Sequence, residues 1–326
     1  MRVLLALAAS TAVLASTALA AAPAVEIEGP TAITATGPAG ELKGFWRGPK
    51  GAQAPVVLFI PGSGPTDHDG NNPLGVKGSP YGKLMEALAR EGIATVAVDK
   101  RGMFASAIPG FDANKITIAD YAADMKAWIA EIRSETHVPC VWIAGHSEGS
   151  LVALVTAQDA EGVCGVISIS GAGRRLSDVI REQVHSNPAN PPEILTQTDT
   201  ALAALEAGRT VDVSAFHPAL QQLFYPGVQP FLISMFSYDP AQLAGHYRGP
   251  LLVLQGTTDI QVQVADAQRL AAAHPGATLE LIDGMNHVLR AAPADRGANM
   301  ASYGDENAPV MPGLAANIAN FIKTHR

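Results

Sequence analysis

Charge is sparse in this chain. Only 16% of its 326 residues are Asp, Glu, Lys or Arg, and the acidic ones outnumber the basic ones 30 to 22, for a formal charge of −8. That balance excludes nucleic acid and anionic membrane as main partners. Cysteine is nearly absent, with 2 in all, which excludes a scaffold held together by disulfides and a Cys-rich zinc site. No His-Glu-x-x-His occurs either. Asp67-His68-Asp69 are adjacent in the chain and splay apart, so they read as a hydrogen-bonded loop at a cleft edge, and neither a metal nor a cofactor is expected. No internal repeat is found.

Long apolar runs are also missing. The first residues come nearest, but Ser10, Thr11, Ser16 and Thr17 dilute the run below a good membrane span. Residues 1–22 read instead as a secretory signal, with Arg2 as its positive region, Val3 to Ala9 as its apolar stretch and Ala18-Leu19-Ala20 as its cleavage site. A membrane anchor is the rival reading. No cysteine stands near the cleavage site to carry a lipid. The expected product is an exported protein, periplasmic or extracellular, with no stable membrane insertion. Its oligomeric state is not legible.

What the chain has is apolar residues, 48% of the total, enough for one large core with an inserted cap. Apolar runs bounded by Gly, Pro or Asp alternate with helical patterns. Val25–Glu28 and Leu42–Arg47 read as antiparallel starting strands, followed by strands at Pro55–Ile60, Ile93–Val98, Val141–His146 and Val163–Ser170. Helices are expected at Tyr81–Glu91, Ile116–Arg133 and Leu151–Gln158. Residues 172–248 lose this rhythm: they are rich in Pro, Gln and helical patterns and carry no convincing strand. They read as a helical cap between core segments 23–171 and 249–326, where strands return at Pro250–Gln255 and Thr278–Ile282. The expected fold is α/β, a mostly parallel sheet of about eight strands with helices on both faces.

Cys140 and Cys164 each open an apolar strand. If those strands are parallel neighbours, the two sulfurs lie within bridging distance at the lower edge of the sheet. Two buried free thiols are the alternative.

The chemistry centres on Val141-Trp142-Ile143-Ala144-Gly145-His146-Ser147-Glu148-Gly149-Ser150. Here a strand runs into Gly-x-Ser-x-Gly and then into a helix. Such a turn strains the serine backbone, needs small neighbours, and lifts the Ser147 hydroxyl clear of the sheet. A serine needs a base, and the base needs an acid to fix its tautomer. Leu251–Asp259 is strand, glycine, short loop, carboxylate; Thr278–His287 is strand, glycine turn, histidine. Ser147, Asp259 and His287 therefore stand in the chain order that such a triad requires. Asp283, four residues before His287, is the competing carboxylate. Backbone N–H groups for an oxyanion are expected from Glu148 and from the glycine loop, at Ser63 with Gly64 as second choice; Pro65 has none to give.

These pieces resemble the α/β-hydrolase superfamily, and within it secreted bacterial esterase-like serine hydrolases with a cap between the sixth and seventh strands. Pro61–Asn71, Asp99–Ser106 and Gly284–Leu289 carry the likeness alongside the triad. Two departures stand out: Phe104 replaces the second glycine of Arg-Gly-x-Gly-x-Ser, and Pro61-Gly62 replaces a common His-Gly. The resemblance implies hydrolysis of a small-molecule carboxylic ester. Peptidase action on short peptides and thioester hydrolysis are rival activities, and a degenerate hydrolase kept as a binding protein is the rival outside enzymes. Among other residues, His146 reads as packed structure, Asp239 as a helix cap, and Asp99 with Arg101 as an ion pair pinning a loop. Phe216, Phe224, Tyr225, Phe231 and Phe236 are divided between packing the cap and lining an acyl pocket.

Overall fold

The computed structural model describes residues 25–51 and 53–325; the expected leader, 1–22, lies outside the described residues. Eight strands form one sheet: β1 (Ile27–Gly37), β2 (Gly40–Pro49), β3 (Val56–Ile60), β4 (Ala94–Val98), β5 (Val141–His146), β6 (Val163–Ile169), β7 (Leu251–Gly256) and β8 (Thr278–Ile282). Their spatial order is β1-β2-β4-β3-β5-β6-β7-β8. β2 runs antiparallel to β1 and to β4, and all later pairings are parallel. The helices are α1 (Pro80–Arg90), α2 (Ile118–Thr136), α3 (Glu148–Thr156), α4 (Leu176–His185), α5 (Pro192–Glu206) and α6 (Pro218–Leu223). They continue with α7 (Gln229–Phe236), α8 (Pro240–His246), α9 (Val264–Ala273), α10 (Arg296–Ala301) and α11 (Leu314–Thr324).

β3 shows why the central strands are apolar throughout. Val56, Leu58 and Ile60 face one core with Met125 and Trp128 of α2 and Leu151 of α3. Val57 and Phe59 face the other, with Leu84 and Leu88 of α1 and Ile318 and Ile322 of α11. A strand covered on both faces has no solvent side and so no polar alternation.

The strand order reverses at β3, whose neighbours are β4 on one side and β5 on the other. Connections leaving such a strand diverge, which opens a crevice at the carboxyl ends of the strands. Ile60 pairs with Gly145, so the residues after β3 continue beside His146 and Ser147.

Between β6 and β7 the chain forms α4 to α8 and no strand. This insertion shares the core of α2 and α3 through Leu202, Phe224 and Phe236. Two contacts fasten it over α2: Ile118 N–H donates to Ser234 Oγ at 3.1 Å, and Tyr121 meets Phe231 edge-on at 6.2 Å. Asp239 caps α8, accepting from the N–H groups of Ala241 and Gln242 at 3.0 and 3.3 Å.

One expectation about the sheet needs correction. The first strand is not Val25–Glu28 but runs from Ile27 to Gly37. Gly29-Pro30 looks like a terminator, yet the register simply shifts between Glu28 and Thr31, a bulge that an edge strand tolerates. The short helices α8 and α10 also escaped the periodicity argument, because six or seven residues hold fewer than two full turns.

Cys140 and Cys164 are bonded, with Cα atoms 5.1 Å apart. The pairing of Val141 with Val163 brings them together at the start of β5 and β6. Replacing both by Ser should lower the unfolding free energy by about 3 kcal/mol in the chain-entropy model. Denaturant unfolding of the double variant measures this, and an unchanged midpoint would contradict it.

Candidate active site

The site begins with a close approach of backbones. A Cβ on Gly145 would collide with the carbonyl of Gly149, and a Cβ on Gly149 with the carbonyl of Ile60. Only glycine lets the start of α3 press against the ends of β3 and β5. Between the two, Ser147 takes φ 54° and ψ −118°, a strained conformation for a side chain with a Cβ. Its N–H donates to the Ile169 carbonyl at 2.9 Å, tying the turn to β6.

His287 and Asp259 meet after β8 and β7. His287 Nδ1 donates to Asp259 Oδ2 at 2.8 Å, and both side chains are buried. The other oxygen of Asp259 accepts from the N–H groups of Gln261 and Val262 at 2.8 and 3.0 Å, and Gln255 Nε2 donates to Oδ2 at 3.1 Å. Burial pushes the Asp259 carboxyl up, but the adjacent His287 and these bonds outweigh it and hold it below the ordinary carboxylate range. An ionised Asp259 keeps the proton of His287 on Nδ1, which leaves Nε2 free to act as a base. Asp283 is exposed and accepts from Thr257 Oγ1 at 3.1 Å; the geometry leaves it apart from His287. Ser147 and His287 border the same two cavities without a hydrogen bond between them.

His146 links the elbow to the histidine loop. Its Nε2 lies 2.7 Å from the His287 carbonyl and its Nδ1 2.7 Å from the Tyr81 hydroxyl. A carbonyl only accepts, so Nε2 carries the proton and Tyr81 donates to Nδ1. The Gly62 N–H in turn donates to the Tyr81 oxygen at 3.4 Å. Burial, and then the charge of His287, lower the His146 pKa to about 3.

The glycine loop is held from beneath by Lys100. This buried side chain donates to the Gly62 carbonyl at 2.7 Å and to Glu148 Oε1 at 3.0 Å. Ser63 borders both cavities beside Ser147, while Gly64 and Glu148 border the larger one. Asp99 and Arg101, expected as one ion pair, are separate. Asp99 accepts from His68 N–H at 2.8 Å and lies 3.0 Å from its Nδ1, whereas Arg101 is bound to Asp124 of α2. Both stand in the loop after β4, where Asp99 is taken up by His68 and the Ala105 N–H and Arg101 by the buried carboxylate of α2. Phe104 has φ 46°, the left-handed conformation that glycine adopts most readily, and Ser106 Oγ donates to the Asp99 carbonyl at 2.8 Å. Asp67 accepts from the N–H groups of Asp69 and Asn71 at 3.0 and 2.7 Å, which makes this segment a hydrogen-bonded loop. Among the described residues no cluster of His, Cys, Asp and Glu is arranged to hold a metal.

Two cavities open from Ser147. One of about 320 Å³ runs under the insertion between Tyr121, Leu176, Val179, Ile180, Phe231 and Met235. The other, about 260 Å³, lies toward Thr66, Asn72, Gln261, Val288 and Tyr303, with Leu74 and Met300 at its mouth. Of the insertion's aromatic residues, Phe231 borders the first cavity, while Phe224 and Phe236 are buried in the core. Tyr81 and Lys100 were missed in the sequence. Tyr81 carries no signal beyond a helical pattern, and the charge run Asp99-Lys100-Arg101 at the end of an apolar strand was the only sign of Lys100.

A family model described as Hydrolase_4, serine aminopeptidase, S33, matches residues 75–188. No curated protein matches the chain in sequence. Among solved structures, the proline iminopeptidase of Mycobacterium smegmatis is similar at 16% identity, over 90% of this chain and 98% of that one, with a TM-score of 0.58. Est1E from Butyrivibrio proteoclasticus is similar at 15% identity, over 90% and 98% of the two chains, with a TM-score of 0.56. A thermophilic esterase from Thermogutta terrifontis shows 17% identity, over 90% and 99%, with a TM-score of 0.53. At such identities the likeness is one of fold.

His146 makes a testable contribution to stability. Its pKa is about 3 in the folded protein against an ordinary 6.5, so between these values the unfolded chain binds more protons. Its contribution is whole above pH 6.5 and is lost as the pH falls toward about 3. His146→Gln should be less stable near neutrality and should lose less on acidification. Urea unfolding of both proteins near neutrality and at about pH 4.5 reads the difference; parallel losses would contradict it.

Proposed function

We propose that this chain, which has the α/β-hydrolase fold, is an exported serine hydrolase of that superfamily cleaving carboxylic esters. The observation that carries the reading is the strained Ser147, exposed to the same cavities as a histidine whose Nδ1 is held by a buried carboxylate. Ser147 Oγ attacks the ester carbonyl as His287 Nε2 removes its proton. The N–H groups of Ser63 and Glu148 receive the oxyanion. His287 then gives the proton to the departing alkoxide, and Asp259 supports the imidazolium meanwhile. Water enters by the same route and releases the acid.

The cavities favour an ester over the amino-terminal peptide that the matched family's description suggests. An aminopeptidase needs a free acceptor for the ammonium of its substrate. Among the described residues that line the two cavities at Ser147 the one carboxylate is that of Glu148, and it is engaged by Lys100. The apolar cavity under the insertion suits the acyl group, with α4 and α7 acting as a cap. Export is supported by the Cys140–Cys164 bridge, which fits an oxidising compartment. No helix among the described residues is long and apolar enough to cross a membrane.

A fluorophosphonate probe should label the folded protein, and Ser147→Ala should abolish the label; labelling that survives the substitution would remove Ser147 from the role. p-Nitrophenyl esters should be hydrolysed much faster than aminoacyl-p-nitroanilides.

Asp259→Asn should lower kcat by about 10⁴-fold through the wrong histidine tautomer, while Asp283→Asn should stay near wild type. Rate assays of the two variants rank the acids, and the reverse order would transfer the role to Asp283.

Phe231→Ala should shift the ratio of long-chain to short-chain ester rates. Phe236→Ala, in the core, should mainly lower stability, by about 3–5 kcal/mol. An unchanged chain-length ratio for Phe231→Ala would deny the insertion its part in selectivity.

A further inference from the structure

We infer that Lys100 is a positioning residue for the oxyanion hole, holding both donor-bearing segments from below. The inference rests on the reading of Ser147 as nucleophile. Lys100 stands just after β4 with 2% of its surface exposed, and its ammonium has three partners. These are the Gly62 carbonyl at 2.7 Å, Glu148 Oε1 at 3.0 Å and the face of Tyr121, whose centroid is 5.2 Å away. Two of its three N–H groups are thus engaged by the carbonyl and the carboxylate, and the remaining side faces the Tyr121 ring at the wall of the larger cavity.

The first of these contacts matters most. The Gly62 carbonyl and the Ser63 N–H belong to one planar peptide group and point in opposite directions. Holding the oxygen therefore aims the N–H. The ammonium also draws electron density through the amide, which makes that N–H a stronger donor to a developing negative charge. Gly62 is restrained at its other end too, since its own N–H donates to Tyr81 at 3.4 Å. The second contact joins Lys100 to the side chain of Glu148, whose backbone N–H is the other proposed donor. One cation thus sets the spacing of both donors. A buried ion pair adds little net stability compared with apolar filling, so its placement beneath these two peptides is the informative feature.

The rival account is that Lys100 only neutralises a buried Glu148. Three variants separate the two: Lys100→Met, Lys100→Met with Glu148→Gln, and Lys100→Arg. Each is measured for kcat and KM on a p-nitrophenyl ester, for affinity toward a trifluoromethyl ketone that forms an oxyanion on the serine, and for its thermal midpoint. Lys100→Met and the double variant should both lose kcat by about 30-fold, below the loss for removing a whole donor. KM should change little, ketone affinity should fall in parallel with kcat, and Lys100→Arg should keep most of the activity. Recovery of kcat in the double variant would overturn the inference in favour of charge neutralisation. So would a loss of kcat without a loss of ketone affinity. If neither methionine variant folds, Lys100 is a stability residue and the inference fails. Wild type that fluorophosphonate does not label would overturn the serine hydrolase reading and this inference with it. Labelled wild type beside fully active variants would overturn this inference alone.

Discussion

The contact on which the site depends is the backbone packing of the elbow against the end of β3. Gly145, Gly149 and Ile60 approach so closely that no Cβ fits at either glycine. Ser147 is left in a conformation that costs on the order of 1–3 kcal/mol and persists only where the surroundings overdetermine it. β5 overdetermines it, being buried along its whole length and paired on both sides. Rigidity of the sheet becomes precision in the position of one hydroxyl.

A second constraint follows from burial. Asp259, His287, His146, Tyr81, Lys100 and Glu148 are all withdrawn from water, and each must find its partners inside the protein. Their bonds therefore run between elements that are remote in sequence. His146 reaches a carbonyl 141 positions away, and Lys100 reaches a carboxylate 48 positions away. The same bonds that satisfy buried polar groups also tie the glycine loop, the elbow and the histidine loop to one another. A shift in any one of these loops leaves a polar group without its partner.

The insertion contributes differently. Its helices share an apolar core with α2 and α3, and apolar contact lacks the directionality of the polar network. Ser63, Ser147, Asp259 and His287 follow strands of the sheet, whereas Tyr121 of α2, Leu176 and Val179 of α4 and Phe231 and Met235 of α7 give the larger cavity its apolar wall. The polar network around Ser147 and the apolar wall of the larger cavity are thus built largely from separate parts of the chain. Phe231 touches Tyr121 of α2 and borders the cavity without a bond to the elbow.

The sequence by itself determined the strand and helix alternation, because strands covered on both faces must be apolar and amphipathic helices must show their period. It also marked Ser147, since a serine between two glycines at a strand-to-helix junction is a local arrangement with a local mechanical meaning. Asp259 and His287 were legible through their places after late strands. Asp283 could be separated from Asp259 only in three dimensions, where it faces solvent and bonds to Thr257. Tertiary structure likewise decided that Asp99 and Arg101 part company, that β1 continues past Gly29-Pro30, and that Phe236 packs inward while Phe231 borders the cavity. Lys100, Tyr81 and the relay through His146 belong wholly to that level. Their partners lie tens to hundreds of residues away, and no local pattern records which buried polar group a distant loop will bring into reach.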